Sequence, residues 1–209
     1  MTQIEALRRL RELQAAGFET RDAAALFGTT IASTHMILRR LAAAAFIVHI
    51  ARGRWGLAER VSRFALPAML AAPYLAYVSL QSALYHHGLI EQVPAVVYAV
   101  TLGRTRRCKT PVATVSLHHL PPALFHGYEP HEKDGSLIAT PEKALFDLLY
   151  LAPGRSRLFA KWPELEIPRG FRWTALNSDV KRVKSASRRT FLSQAIDELR
   201  AHSRDRIPA

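Results

Sequence analysis

The chain of 209 residues is long enough for two modest domains, and its composition, 49% hydrophobic and 22% charged, is typical of a folded globular protein. Its formal net charge of +12 predicts a polyanionic partner, because each neutralised phosphate releases counterions and adds affinity. The single cysteine, Cys108, excludes an internal disulfide bond and a zinc site built from several cysteines. The sequence contains neither a recognisable signal peptide nor an apolar run as long as a membrane span, so we expect a cytoplasmic protein without a membrane partner.

The chain begins with an amphipathic pattern over residues 1–16. Ile4, Leu7 and Leu10 fall on one side and are expected to face the core, while arginines and glutamates occupy the other side. Gly17 is expected to end this helix as a left-handed C-cap.

Two more helices are predicted after this one, with a tight turn between them. Thr20 is a suitable N-cap for a short alanine-rich helix over residues 21–27, because its hydroxyl can accept from the first turn. Gly28 provides the backbone freedom that a sharp reversal needs, and either Thr29 or Thr30 can cap the next helix.

The third predicted helix, residues 31–45, separates into two faces at about 100° per residue. The core-facing side holds Thr34, Ile37, Leu38, Leu41 and Ala45. The outward side combines a small residue, a hydrogen-bonding ring and cations, namely Ala32, His35, Met36 and Arg39, with Arg40 at its edge. A strand, an Arg52–Gly53–Arg54 turn and a returning strand follow, which is the pattern of a two-stranded wing.

These elements predict a winged helix-turn-helix domain over residues 1–60 that binds double-stranded DNA. The third helix would enter the major groove, which is about 12 Å wide. The side chains expected to read base edges are Ala32, Ser33, His35, Met36 and Arg39. Those expected to hold phosphates are Thr30, Arg40, Arg52 and Arg54. The alternative is a plain helical hairpin with a solvated basic face.

Residues 61–76 are predicted to form a linker, and residues 77–209 a small mixed α/β domain with a helical C-terminal end. The predicted elements of this domain are a helix over 80–87 capped by Ser79, strands over 94–101 and 112–117, a hairpin of 124–129 with 137–139, a helix that starts after Thr140, and helical segments over 174–184 and 190–201. The predicted fold class of the whole chain is therefore α+β.

A predicted turn after the first of these strands carries four cations within six residues: Arg104, Arg106, Arg107 and Lys109. This basic turn is a candidate for a second nucleic-acid contact or for a contact with an acidic partner. The alternative is a solvated hairpin tip. A further charge run at residues 181–189 is typical of a solvent-facing surface.

No catalytic residue, metal site or cofactor is expected. Neighbouring histidines at 86–87 and 118–119 do not point at one site, so neither pair is a ready metal chelate. Asp134, Glu142 and Lys143 are faintly similar to the carboxylate–carboxylate–lysine set of magnesium-dependent nucleases. That set needs its second acid and its lysine two positions apart on a strand, whereas here they are adjacent at a predicted helix start. A metal-dependent nuclease is therefore only a remote alternative.

Three features occur in a recognisable order. The predicted wing is followed by Tyr77-Val-Ser-Leu-Gln-Ser-Ala-Leu-Tyr-His-His-Gly-Leu-Ile, then by a valine-rich strand that enters a basic turn, and then by Ile138-Ala-Thr-Pro-Glu-Lys-Ala-Leu-Phe-Asp-Leu-Leu-Tyr. This order resembles the AbiEi family of antitoxins from type IV toxin–antitoxin systems over roughly residues 20–151. The run at residues 139–149 is the most specific part of the resemblance.

The resemblance implies a bacterial protein with two functions. Its winged helix would repress its own operon by binding inverted repeats in the promoter, and its second domain would neutralise a cognate nucleotidyltransferase toxin. The alternative is a stand-alone transcriptional regulator whose second domain senses a ligand or a partner.

Overall fold

The computed structural model of the chain describes residues 1–13, 15–152 and 165–205, and its architecture is α+β. Gln14, in the first predicted helix, and residues 153–164 and 206–209, in the second predicted domain, lie outside the described residues. The N-terminal elements are α1 (Gln3–Glu12), β1 (Gly17–Glu19), α2 (Thr20–Phe27), α3 (Ile31–Ala43), β2 (Ile47–Ala51) and β3 (Arg54–Leu57). The later elements are α4 (Leu66–Ala71), β4 (Ala76–Val78), α5 (Leu80–His86), β5 (Val97–Thr101), β6 (Arg106–Lys109), β7 (Thr114–His119), β8 (Tyr128–Pro130), β9 (Leu137–Ala139), α6 (Pro141–Leu151), α7 (Trp173–Arg182) and α8 (Ala186–Asp205).

Two sheets organise these elements. The first is antiparallel with the strand order β1-β3-β2 and packs with α1, α2 and α3. The second is mixed and has the order β6-β7-β5-β4-β9-β8, in which β5 pairs with β7 and β4 with β9 in parallel. Helices α5 and α6 pack against each other, and α7 and α8 pack on α6. Within the described ranges no helix combines the length and the apolar character that crossing a membrane requires.

The turn between α2 and α3 forms as the sequence predicts. Gly28 ends α2 in the left-handed conformation with φ of 66°, which glycine adopts without steric strain. Thr30 is the residue that caps α3, because its hydroxyl accepts a hydrogen bond from the backbone N–H of Ser33 at 3.2 Å. Helix α3 buries Thr34, Leu38 and Leu41 as predicted.

The end of α3 differs from the prediction. The helix stops at Ala43, and Ala45, which was expected to face the core, is exposed with φ of 59°. The chain must reverse here to enter β2, so the helical periodicity no longer decides which side chains are buried.

The first helix is also shorter than predicted. Its buried stripe passes through Ala6, Leu7 and Leu10, and α1 ends at Glu12. Ile4 lies outside this stripe and is 83% exposed, so its predicted place in the core is wrong.

Gly17 does not cap α1 but opens strand β1. A side chain here would collide with Met69 and would come within 3.2 Å of the carbonyl oxygen of Trp55. Glycine is therefore favoured by a close approach of neighbouring chain segments, which residues 1–20 alone could not reveal.

The start of α2 uses a different cap from the one predicted. Glu19 is the N-cap, and it forms a capping box with Asp22, whose carboxylate accepts from the Glu19 backbone N–H at 2.9 Å. Thr20 is buried instead, where its hydroxyl oxygen accepts from Trp55 Nε1 at 3.0 Å and donates to the carbonyl of Gly53 at 3.3 Å. The bond to Trp55 is a tertiary contact, which local capping preferences cannot predict.

Residues 61–76, predicted to be a linker, contain the buried helix α4. Leu66 and Leu70 of α4 share a core with the six-stranded sheet, and Ile50 of β2 belongs to the same core. On the other side, Arg60 donates to the carbonyl of Leu13 at 2.6 Å. The connecting segment is thus packed against both sheets.

The second half follows the predicted order of elements with shifted boundaries. The predicted basic turn is largely strand β6, which pairs with β7 through residues such as Cys108, opposite Val115. Thr140 caps α6 as predicted, since its hydroxyl accepts from the N–H of Lys143 at 3.3 Å. The Ser79 hydroxyl does not cap α5, because it donates to the carboxylate of Asp147.

Asp147 lies at the centre of a fully buried polar network. Its carboxylate accepts hydrogen bonds from Lys143 Nζ at 2.7 Å, Ser79 Oγ at 2.8 Å and Tyr77 Oη at 3.0 Å. Burial raises the pKa of Asp147, while these three donors act in the opposite direction. Burial and the Asp147 charge both raise the pKa of Tyr77, which keeps its hydroxyl a neutral donor. The network ties β4 and the start of α5 to helix α6.

Replacing Asp147 by alanine should therefore destabilise the protein strongly. The change leaves the Lys143 ammonium buried without its counter-charge, which costs about 3–5 kcal/mol. Urea unfolding followed by circular dichroism measures the loss. The double variant Lys143→Met, Asp147→Leu should recover a large part of it, since both charges are then absent. A double variant as unstable as Asp147→Ala would contradict this account.

Candidate nucleic-acid interface

The outward face of α3 is exposed over its whole length. The exposed set contains all of the predicted base-reading and phosphate-holding residues of this helix: Ala32, Ser33, His35, Met36, Arg39 and Arg40. Met36 is an apolar side chain that is 51% exposed to solvent, so it is accessible to a partner on this face. Thr30 is exposed too, but its hydroxyl is already engaged by Ser33 as the helix cap.

The ion pairs of the N-terminal part decide which arginines remain available. Residues 1–60 contain nine arginines and five acidic residues. Five of the arginines are paired with acids: Arg8 with Glu5 and Glu12, Arg9 with Glu5, Arg11 with Glu59, and Arg21 and Arg54 with Glu19. Arg60 donates to backbone carbonyls.

The remaining three arginines, Arg39, Arg40 and Arg52, form neither a hydrogen bond nor an ion pair with the residues that the structure describes. All three are exposed, and all three belong to the predicted DNA contacts. These three arginines and Arg60 therefore carry the positive charge of this part of the chain that no acid compensates, and an external anion is the natural counter-charge for the three exposed side chains.

Arg54 lies differently from its prediction as a phosphate contact. Its guanidinium donates to three carbonyl groups at the C-terminal end of α4, those of Met69 at 2.8 Å, Leu70 at 2.9 Å and Ala72 at 2.7 Å. Helix ends leave such carbonyls without partners, so the arginine satisfies them. With its donors used inside the protein, Arg54 is not available as a phosphate ligand.

Trp55 holds the hairpin against α3. The indole is 3% exposed, and its Nε1 donates to Thr20. Two exposed imidazoles flank it: His35 of α3 with ring centroids 6.0 Å apart, and His49 of β2 with centroids 4.5 Å apart. Sequence reasoning did not single out Trp55 or His49 as site residues. The signal for His49 was its alternation with the apolar residues of β2, which predicts a side chain on the open face.

The second basic cluster, Arg104, Arg106, Arg107 and Lys109, is exposed, and it lies near the hairpin. Arg106 donates to the carbonyl of Leu70, which also accepts from Arg54 of β3. Strand β6, which carries most of this cluster, has β7 as its only neighbour in the described sheet. Arg106 of this cluster and Arg54 of the hairpin therefore meet at the C-terminal end of α4.

The three residues considered for a nuclease have separate partners. Asp134 accepts from Ser62, the backbone of Ser136 and His131, and these bonds hold its pKa at about 2 although burial acts the other way. Glu142 accepts from Arg172 at 3.1 Å, and Lys143 donates to Asp147. The described residues contain no cluster of three or more histidine, cysteine or acidic side chains arranged to hold a metal ion.

No protein-family model matches this chain, and no curated protein matches it either. The resemblance to AbiEi antitoxins therefore stays a prediction from the sequence motifs quoted above.

Arg52 and Arg54, which flank Gly53, form a matched pair for testing these positions. Arg54→Ala should lower the free energy of unfolding by about 2–4 kcal/mol, because it leaves three carbonyl groups of α4 without their charged donor. Arg52→Ala should change it by less than about 0.5 kcal/mol, as expected for an exposed side chain without partners. Thermal and urea unfolding measure both. Equal effects of the two substitutions would refute the different placement of these arginines.

Proposed function

We propose that this chain is a DNA-binding protein that acts in the cytoplasm through an N-terminal winged helix-turn-helix. The observation that carries the proposal is the set of three exposed arginines, Arg39, Arg40 and Arg52, on α3 and the hairpin tip, which have no partner among the residues that the structure describes. A helix with such a face fits the major groove, and a basic hairpin beside it fits the phosphate backbone.

Within this proposal the residues of α3 divide by chemistry. Arg39 can donate two parallel hydrogen bonds to a guanine, His35 can bond a base edge, and Met36 and Ala32 can contact a thymine methyl group. Ser33 lies in the first turn of α3, where a hydroxyl suits either a base edge or a phosphate. Arg40 and Arg52 would hold phosphates.

The basic cluster of β6 is proposed as a secondary contact with the same duplex. Its strand reaches the same end of α4 as the hairpin, since Arg106 and Arg54 donate to the same carbonyl, and Arg104, Arg107 and Lys109 are exposed cations on or just before this strand. Arg106 is less available, because it donates to the carbonyl of Leu70. An acidic protein partner at this surface is the competing possibility, which the charge reversal below distinguishes.

The antitoxin role is proposed from the sequence resemblance. On that reading the chain represses its own operon through inverted repeats in the promoter and counteracts a nucleotidyltransferase toxin through its second half. The motif segments that carry the resemblance are in mutual contact, since Tyr77 and Ser79 bond Asp147, and His87 bonds the carbonyl of Ala139 at 2.7 Å. This is what a shared fold of the second half would require. A stand-alone transcriptional regulator is the alternative.

Arg52→Ala should weaken binding to every duplex to a similar degree and reduce the salt dependence of binding by about one phosphate contact. Arg39→Ala should instead relax sequence preference, by about 1–3 kcal/mol between the preferred and a mismatched duplex. Fluorescence anisotropy with duplexes from the region upstream of the protein's gene and with mixed sequence measures both over a range of salt concentrations. Arg8→Ala is the matched control, because Glu5 and Glu12 already neutralise Arg8. If all three variants bound like the unmodified protein, the assignment of this face would be wrong.

Co-expression with the neighbouring gene of the operon tests the antitoxin proposal. The full chain should restore growth, and so should the full chain with Arg39→Ala and Arg52→Ala, because only DNA binding is removed. Point variants are preferable to a deletion after residue 60, since Ile50 and Arg54 depend on contacts with later residues. Arg107→Glu with Lys109→Glu should weaken DNA binding and leave protection intact; the opposite pattern would assign this cluster to the protein partner. A harmless neighbour, or no protection by the full chain, would favour the stand-alone regulator.

A further inference from the structure

The described histidine side chains differ in whether they have a polar partner within the protein. Most have a polar partner within the chain: His87 bonds the Ala139 carbonyl, His118 bonds Ser116, His119 bonds the Gly103 carbonyl, His126 pairs with Asp179 and His131 with Asp134. Three described imidazoles do not: His86 of α5, and His35 and His49 of the N-terminal elements. His35 and His49 are exposed, and their ring nitrogens form no hydrogen bond or ion pair with the described residues.

The side chains of His35 and His49 also lie against the same indole ring, that of Trp55. His49 is directly opposite Trp55 in the β2–β3 register, with the ring planes inclined at 47°. His35 approaches the same indole edge-on, at an interplanar angle of 71°. Because Trp55 is buried and bonded to Thr20, it fixes both imidazoles at the junction of α3 and the hairpin.

The charged groups of α3, the hairpin and the elements packed on them bear on an imidazolium at this junction. The cations of α3 and of the hairpin turn are Arg39, Arg40 and Arg52. The acids of the elements packed around it are already occupied: Glu19 by Arg21 and Arg54, Asp22 by the Glu19 backbone N–H, and Glu5 and Glu12 of α1 by Arg8 and Arg9. Among the described residues of these elements, no acidic side chain is left unpaired to serve as the counter-charge of an imidazolium.

We propose that His49 is a further DNA-contact residue and that His35 and His49 bind the duplex as imidazolium groups, so that DNA binding takes up protons. This inference rests on the proposed DNA-binding function and deepens it. A backbone phosphate supplies the missing negative charge for His49, and His35 donates to a base-edge or phosphate acceptor. The DNA complex then holds more protons than the free protein, and the affinity for DNA rises as the pH falls.

The test is a pH series of DNA affinity with the full-length protein. The probe is a labelled duplex from the region upstream of its gene, at one fixed salt concentration, because salt alone changes affinity. Ordinary histidines change charge between about pH 5 and 8, so the series covers this interval. The affinity should rise about tenfold for each imidazole, the scale of one hydrogen bond to a charged group.

Three variants isolate the effect. His49→Gln and His35→Gln should each remove about one factor of ten from the rise in affinity between pH 8 and pH 5. His86→Gln is the matched control, because His86 is another exposed imidazole without a polar partner in the described chain, located on α5. It should keep the full pH response.

Two results would overturn the inference while leaving DNA binding in place. One is an affinity that does not depend on pH, or that keeps its pH response in the double variant His35→Gln, His49→Gln. The other is a loss in His49→Gln of equal size at both ends of the series, which would indicate a contact by neutral histidine. The absence of any DNA binding at every pH would overturn the proposed function itself, so the two failures are distinguishable.

Discussion

The C-terminal end of α4 is the point on which the arrangement of this protein depends. Helix ends leave carbonyl groups without intrahelical donors, and here the donors come from two separate parts of the chain. Arg54 of the small sheet reaches three of these carbonyls, and Arg106 of the large sheet reaches the Leu70 carbonyl as well. A single structural requirement therefore joins the hairpin that we propose for DNA contact to the edge of the second sheet.

The Asp147 network gives a physical reason for the most specific motif of the sequence. In the run from residue 139 to 149, Thr140 caps α6, Lys143 and Asp147 form a buried ion pair, and the leucines fill the core around them. A buried charge pair tolerates few changes of one partner, because the remaining charge would be left without compensation. The residue types of the run are thus explained by the stability of the second half. Because these residues are buried, a resemblance at this motif indicates a similar fold. The function has to be argued from residues that are exposed to a partner.

The sequence predicted elements well where local chemistry decides them. The turn at Gly28, the cap at Thr30 and the start of α6 each depend on residues within one helical turn, and all three are confirmed. The errors concern residues whose partners are distant in sequence. Local preferences predict Thr20 as a helix cap, but its hydroxyl instead accepts a hydrogen bond from Trp55. They predict Gly17 as a helix terminator, but the glycine instead lies where Met69 packs closely against the chain. The second basic segment was expected to be a turn because its cations favour solvent, but exposed cations suit the edge of a sheet equally well.

The same distinction governs the candidate site. The basic residues are spread along the chain, yet a charge acts on a partner only when the protein has not already neutralised it. Arg188 lies over the ring of Tyr150 at 4.5 Å, and Arg189 donates to the carbonyls that end α7, so part of the basic C-terminal run serves the fold. In the N-terminal part, five of the nine arginines are paired with acids and Arg60 is bonded to backbone carbonyls, which leaves Arg39 and Arg40 on the outward side of α3 and Arg52 at the hairpin tip. The hydrophobic periodicity of α3 predicts which face is exposed, and the internal ion pairs determine which of the exposed arginines keep an uncompensated charge. Because both point to the same surface, α3 is a better candidate for the DNA contact than the basic run near the C-terminus.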